Sequence, residues 1–136
     1  MNLRYLLDTN ICITIVNDRP AAVRERFASA TVGDVGMSTI TYGELVWGAQ
    51  VSSKRKENLQ RLRAFARLVP ALGLPAEAAE HYGKIRAVLQ RKGAPIGPND
   101  LWIAAHARTA GLVLVSNNER EFKRVPALKV ENWARA

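Results

Sequence analysis

The sequence predicts an α/β fold in which a parallel sheet is covered by helices on both faces. Short apolar runs alternate along the chain with stretches of helical periodicity, the pattern of strand–helix–strand units. Runs such as Tyr5-Leu6-Leu7 and Leu112-Val113-Leu114-Val115 are apolar at every position, as strands buried on both faces are. No internal repeat, low-complexity segment or linker divides the sequence, so residues 1–136 read as one domain.

Taken in order, Tyr5 to Leu7 is expected to form the first strand, ending at Asp8. A helix is expected over Pro20 to Ser29, then a short strand at Val35-Gly36-Met37. Helices over Thr41 to Val51 and Lys54 to Arg67 follow, with a further strand within Val69 to Leu74. Ala76 to Lys92 and Asn99 to Ala110 are helical patterns, and Leu112 to Val115 and Leu128-Lys129-Val130 are the last strands. Gly93, Gly97 and Gly111 fall where helices should stop or turn. Between Lys54 and Arg67, Leu59, Leu62, Phe65 and Ala66 share one stripe, and six Lys and Arg side chains mostly occupy the rest. That basic surface reads either as a solvated face or as one that tracks RNA or meets a partner.

Composition narrows the function. Twenty Lys and Arg against twelve Asp and Glu give a net charge of +8, a field that attracts polyanions, of which nucleic acid is the commonest, though an anionic membrane surface or an acidic protein partner also fits. No apolar run approaches the roughly 20 residues that span a bilayer, and the start is too short in apolar residues for a signal peptide. No membrane association is therefore expected, and the cytoplasm is the expected compartment. The single cysteine, Cys12, allows no internal disulfide and no cysteine-rich zinc site, and reads as a small buried apolar residue. His81 and His106 read as ordinary helix residues.

The acids carry the chemistry. In an open parallel sheet, ligands bind beyond the carboxyl ends of the strands. Asp8 stands there after the first strand, and Ser116-Asn117-Asn118 stand there after the strand at Leu112 to Val115. Glu44 and Asp100 are each expected in the first turn of a helix. Each also has an ordinary role: Asp8 as a helix cap, Thr41 with Glu44 and Ser116 with Glu119 as capping boxes, Asp100 as a partner of the helix dipole. Asp100 argues for more. It shares a face with Ile103, Ala104 and Ala107, and a buried unpaired carboxylate costs several kcal/mol. A divalent cation removes that cost. Three acids and an amide from four segments offer hard oxygen ligands of the kind that suit Mg²⁺ or Mn²⁺.

These residues resemble a known family. Leu6-Leu7-Asp8-Thr9-Asn10, Ser38-Thr39-Ile40-Thr41-Tyr42-Gly43-Glu44-Leu45 and Gly97-Pro98-Asn99-Asp100-Leu101-Trp102-Ile103-Ala104-Ala105-His106-Ala107 are similar to segments of PIN-domain ribonucleases. With Val115-Ser116-Asn117-Asn118-Glu119-Arg120-Glu121-Phe122, Arg124-Val125-Pro126 and Val130-Glu131-Asn132-Trp133, the chain resembles the VapC toxins of VapBC type II toxin–antitoxin modules over nearly its whole length. The resemblance implies a three-layer α/β/α domain with a parallel sheet of four to five strands in an order near 3-2-1-4-5. It implies that Asp8, Glu44 and Asp100 ligate the metal and that Ser116 and Asn118 belong to the same catalytic site. Asn118 matches the place of a fourth acid, which leaves a second metal in question, with Glu119 and Glu121 as alternative sources of that charge. Ser116 stands where the family usually has Thr, its hydroxyl available to a ligand carboxylate or a water.

The activity so implied is Mg²⁺-dependent hydrolysis of RNA phosphodiesters by an activated water, leaving 5′-phosphate and 3′-hydroxyl ends. The implied partners are an RNA substrate, with tRNA foremost, a cognate VapB-type antitoxin whose C-terminal segment covers the active groove, and a second copy in a homodimer. Both protein contacts are expected on the helices from Thr41 to Arg67. Trp47 and Trp102 are expected to be buried rather than to stack on bases, and Trp133 to anchor the last strand. The competing readings are an RNA-binding module with a degenerate site, favoured by Asn118, a nuclease of the same fold acting on structured DNA, and an aspartate-phosphorylation domain. The last lacks a convincing lysine near the late strands.

Overall fold

The computed structural model describes residues 3–17, 25, 27–29 and 33–133. The helix expected over Pro20 to Ser29 lies mostly outside these residues. Five strands are formed: β1 (Tyr5–Leu7), β2 (Val35–Ser38), β3 (Ala71–Leu72), β4 (Val113–Val115) and β5 (Val130–Glu131). The helices are α1 (Thr9–Val16), α2 (Thr39–Gln50), α3 (Arg55–Leu68), α4 (Ala78–Arg91), α5 (Pro98–Ala110) and the single turn α6 (Glu119–Phe122). The strands pair in the order β3-β2-β1-β4-β5, parallel throughout, with Tyr5 opposite both Val35 and Val113. This is the expected order.

Side chains of β1 alternate between two cores, as the pleat requires. Leu6 packs with Ile85, Leu89, Ile103, Leu114 and Phe122 on one side of the sheet. Tyr5 and Leu7 pack with Ile11, Met37, Leu62, Phe65 and Trp133 on the other. Both layers therefore hold β1 in place, and with it the residue that follows. Trp133 meets Tyr5 edge-on at 5.3 Å between ring centroids, the anchoring contact expected of it. Cys12 is fully buried, and burial pushes its thiol well above the ordinary value.

Local chemistry accounts for the boundaries. Gly111 closes α5 in the left-handed conformation, at φ 68°. Gly36 lets β2 and β3 approach, since a Cβ there would stand 3.0 Å from Leu72 Cδ1. In α3, Leu62 and Phe65 are buried while Arg55, Lys56, Arg61, Arg63 and Arg67 are exposed, as the stripe foretold. No helix among the described residues is long and apolar enough to cross a membrane.

Three expectations are corrected. Helix α2 starts at Thr39, because Ser38 caps it by accepting from the Ile40 amide, so Thr41 forms no capping box and Glu44 falls in the second turn. The segment after Val115 also lacks the expected box: Ser116 Oγ accepts from the Asn118 amide, and Asn118 precedes α6 without a side-chain cap. Trp47 is 68% exposed rather than buried. The inward face of α2 runs through Thr41, Leu45 and Ala49, and Trp47 lies about 200° round the helix from Leu45. Trp102 is half-buried and stacks on Tyr82 at 3.9 Å between ring centroids.

Candidate active site

Asp8 follows directly on β1 and is 3% exposed. One carboxylate oxygen caps α1, accepting from the Ile11 amide at 2.9 Å, and the Ser116 hydroxyl donates to the same carboxylate. Capping and ligation are thus not alternatives here, since a carboxylate has lone pairs for both. Burial, opposed by these hydrogen bonds and reinforced by Glu44 and Glu121, raises the Asp8 pKa from 3.8 to about 6.

Glu44 reaches the site from α2. The Thr9 hydroxyl donates to its Oε1 at 2.7 Å and lies 3.4 Å from the Thr41 hydroxyl, so Thr9 fixes the glutamate beside Asp8. The sequence reading did not single out Thr9. Its only signal was its place next to Asp8 at the strand exit.

Asp100 comes from the first turn of α5. Burial, contact with the Glu121 carboxyl and the charges of Glu121, Asp8 and Glu44 raise its pKa to about 7. Ionised, the two carboxylates are both acceptors, and Glu121 Oε1 is buried with no donor. A proton on Asp100 or a cation between them would satisfy that oxygen.

Three of the five expected site residues, Asp8, Glu44 and Asp100, therefore come together electrostatically, and Glu121 joins them as the fourth charge. Ser116 is tied to Asp8, whereas Asn118 donates from Nδ2 to Glu121 Oε2 at 2.8 Å. The amide thus orients an acid three residues further on. Glu119 turns away, toward Asn132 and Lys123. His81 accepts from Arg108 and His106 is buried in α5; neither is among the groups that shift Asp8 or Asp100.

Oxygen donors alone, mutual repulsion and a buried carboxylate oxygen without a donor fit a hard divalent cation. No group of three His, Cys, Asp or Glu side chains among the described residues is already arranged to ligate one. If Glu121 supplies the fourth charge, Glu121→Gln should cut RNA cleavage at saturating divalent cation by about 10- to 100-fold, the usual range for a lost tuning partner. Asn118→Asp should retain most activity. Equal cleavage by Glu121→Gln and the parent chain would remove Glu121 from the site.

The chain matches the PIN domain family over residues 5–128. It is 46% identical over 132 residues to the tRNA(fMet)-specific endonuclease VapC of Shigella flexneri, covering 97% of this chain and 99% of that one. It is 44% identical over 131 residues to the ribonuclease VapC2 of Haemophilus influenzae, covering 96% and 98%. The structure superposes with a TM-score of 0.90 on a chain of the DNA-bound VapBC complex of Salmonella typhimurium, at 43% identity and covering 96% and 98%. The sheet order, the strand-exit acids and these likenesses agree: the chain belongs to the PIN domain family, within its VapC ribonuclease branch.

Proposed function

We propose that this ribonuclease hydrolyses tRNA at the pocket formed by Asp8, Glu44, Asp100 and Glu121, with a divalent cation as cofactor, Mg²⁺ foremost and Mn²⁺ as the alternative. The mutual electrostatic influence of Asp8 after β1, Glu44 on α2, Asp100 on α5 and Glu121 on α6 carries the reading. Asp8, Glu44, Asp100 and Glu121 would hold the ion, which when bound makes water a stronger nucleophile near neutral pH and offsets charge on the phosphate. Thr9 holds Glu44 in place, and Ser116 and the Ile11 amide both bond the Asp8 carboxylate, so these two acids are positioned before substrate arrives. An ionised carboxylate accepts the proton of the attacking water. The exposed Arg and Lys of α3 and the +8 charge hold the RNA backbone, so binding weakens as salt rises.

The relatives named for tRNA(fMet) support initiator tRNA as the substrate, and the VapBC complexes support a VapB-type antitoxin as partner. A cavity of 270 Å³ lined by Ile13, Val16, Leu45, Leu62, Arg61 and Glu44 offers the antitoxin an apolar seat beside the acids. A homodimer completes the proposed assembly.

Antitoxin-free protein incubated with total tRNA and Mg²⁺ should give discrete fragments with 5′-phosphate and 3′-hydroxyl ends, and none with EDTA. Ends carrying 2′,3′-cyclic phosphate would contradict attack by water. Cleavage that persists in EDTA would remove the metal.

A further inference from the structure

Glu44 is the site carboxylate with open space beside it. It is half-buried and lines both the 270 Å³ cavity and a more open groove of 530 Å³. Its charge acts against those of Asp8 and Asp100, so repulsion favours its turning away into that space. Among the described residues, the Thr9 hydroxyl at 2.7 Å is its one hydrogen-bond partner. We propose that Thr9 and Thr41 form a positioning pair that keeps Glu44 turned toward Asp8, with Thr41 acting only through Thr9. The inference rests on the reading that Glu44 holds the cation. To that reading it adds two residues that aim the ligand without touching the ion.

Thr41 has a buried hydroxyl whose expected use is filled by another residue. Its spacing from Glu44 suggested a capping box, but Ser38 caps α2, and Thr41 has no exposure at all. Its partner is the Thr9 hydroxyl, 3.4 Å away across the contact of α1 with α2. The direction of the chain follows from counting protons. A hydroxyl has one proton and two acceptor positions, whereas an ionised carboxylate only accepts. The contact of Thr9 with Glu44 is short, as charge-assisted bonds are, so the Thr9 proton lies there. Thr9 then has nothing to donate to Thr41, and the longer contact runs from Thr41 to Thr9. At 3.4 Å it is the weaker link. Shut off from water, the Thr41 proton stays on Thr9 Oγ1 and leaves the Thr9 proton to Glu44.

Placement in the chain makes the pair a precise device. Thr9 follows Asp8 directly and opens α1. The Ile11 amide holds Asp8, and the next residue along the chain holds Glu44. One rigid, planar peptide unit thus relates two acids that lie far apart in sequence. The branched Cβ of Thr9 also restricts its χ1, so its hydroxyl is less free to swing than that of a serine. A glutamate side chain loses much rotamer freedom on being ordered, and here that ordering is completed in folding, before a cation arrives.

Metal affinity tests the pair without recourse to cleavage. Mn²⁺ binding to the full-length, antitoxin-free chain is read from the loss of the free-ion paramagnetic signal, and melting in EDTA checks the fold of each variant. Thr9→Val removes the hydroxyl and should weaken Mn²⁺ binding about 10- to 100-fold, the usual effect of losing an outer partner of a metal ligand. Thr9→Ser should keep most of the affinity. Thr41→Val should weaken binding less than Thr9→Val does. Combining Thr41→Val with Thr9→Val should bind no more weakly than Thr9→Val alone, because Thr41 has no route to Glu44 except Thr9. Parent affinity in Thr9→Val, Thr9→Ser binding no better than Thr9→Val, or losses that add in the double variant would each overturn the proposal. If Thr41→Val fails to fold, the comparison of Thr9→Val with Thr9→Ser decides it. Glu44→Gln separates the underlying reading. Mn²⁺ held as tightly by Glu44→Gln as by the parent chain overturns Glu44 as a ligand. A loss in Glu44→Gln with none in Thr9→Val overturns the positioning pair alone.

Discussion

Asp8→Asn should lower RNA cleavage by about a thousandfold while leaving the melting temperature no lower than that of the parent chain. The two halves of this result come from different atoms. A charged ligand contributes several kcal/mol to a metal-assisted step, and each 1.36 kcal/mol is about tenfold in rate. The amide oxygen of asparagine still accepts from the Ile11 amide, so the cap on α1 survives. Substitution also removes one negative charge from beside Glu44 and Glu121, which favours the folded state. Asp8→Ala should lose the cap as well, at about 1 kcal/mol, and melt lower than Asp8→Asn. Cleavage by Asp8→Asn at the parent rate would show that the site lies elsewhere.

The second large effect is on stability. The folded pKa values of Asp8, about 6, and Asp100, about 7, lie above the ordinary 3.8. The folded chain therefore binds more protons than the unfolded chain between these limits. The stability this contributes is fully present below about pH 4 and is lost as pH rises through about 6 and 7. For Asp8, which is 3% exposed, the loss is about 3 kcal/mol. Asp100 is more open to water and adds less than its shift implies. In EDTA, the melting temperature should fall by roughly 10 °C from these carboxylates as they ionise. The proposed Mg²⁺ would bind the ionised form, so it should restore the loss at pH 8 and have little effect at pH 5. Scanning calorimetry across that range, with and without Mg²⁺, makes the comparison. A profile that is flat, or one that Mg²⁺ shifts equally at both ends, would mean that the acids do not share one buried field.

Much of this arrangement was legible in the sequence. Runs apolar at every position placed Tyr5–Leu7 and Leu112–Val115 inside a sheet covered on both faces, while their pairing as neighbours was implied by the family resemblance and is found in the structure. Acids immediately beyond such strands had to lie at its carboxyl edge. The misreadings came from signals with two explanations. Thr41 and Glu44 have capping-box spacing, but Ser38, three residues earlier, took the cap. The Asn118 expectation is not among these misreadings: its amide stands at the place of an acid in the chain and donates to Glu121, whose carboxyl acts on Asp100. Trp47 was assigned to the core by its chemistry alone, while the period of α2 turns it outward. Thr9 was overlooked because a hydroxyl that donates to a carboxylate 35 positions away leaves no local pattern.

The pairing of β1 with β4 also sets a timetable for synthesis. Asp8 emerges from the ribosome early, but its neighbour strand spans Val113–Val115 and Glu121 comes later still. At synthesis rates of about 5–20 residues per second, on the order of ten seconds separate the first acid from the last. Contacts so distant in sequence close late in folding. A nascent chain of this kind therefore carries a dispersed set of acids and no pocket for most of its time on the ribosome. The machinery translating it is spared a cutting enzyme until the late strand and Glu121 have been made.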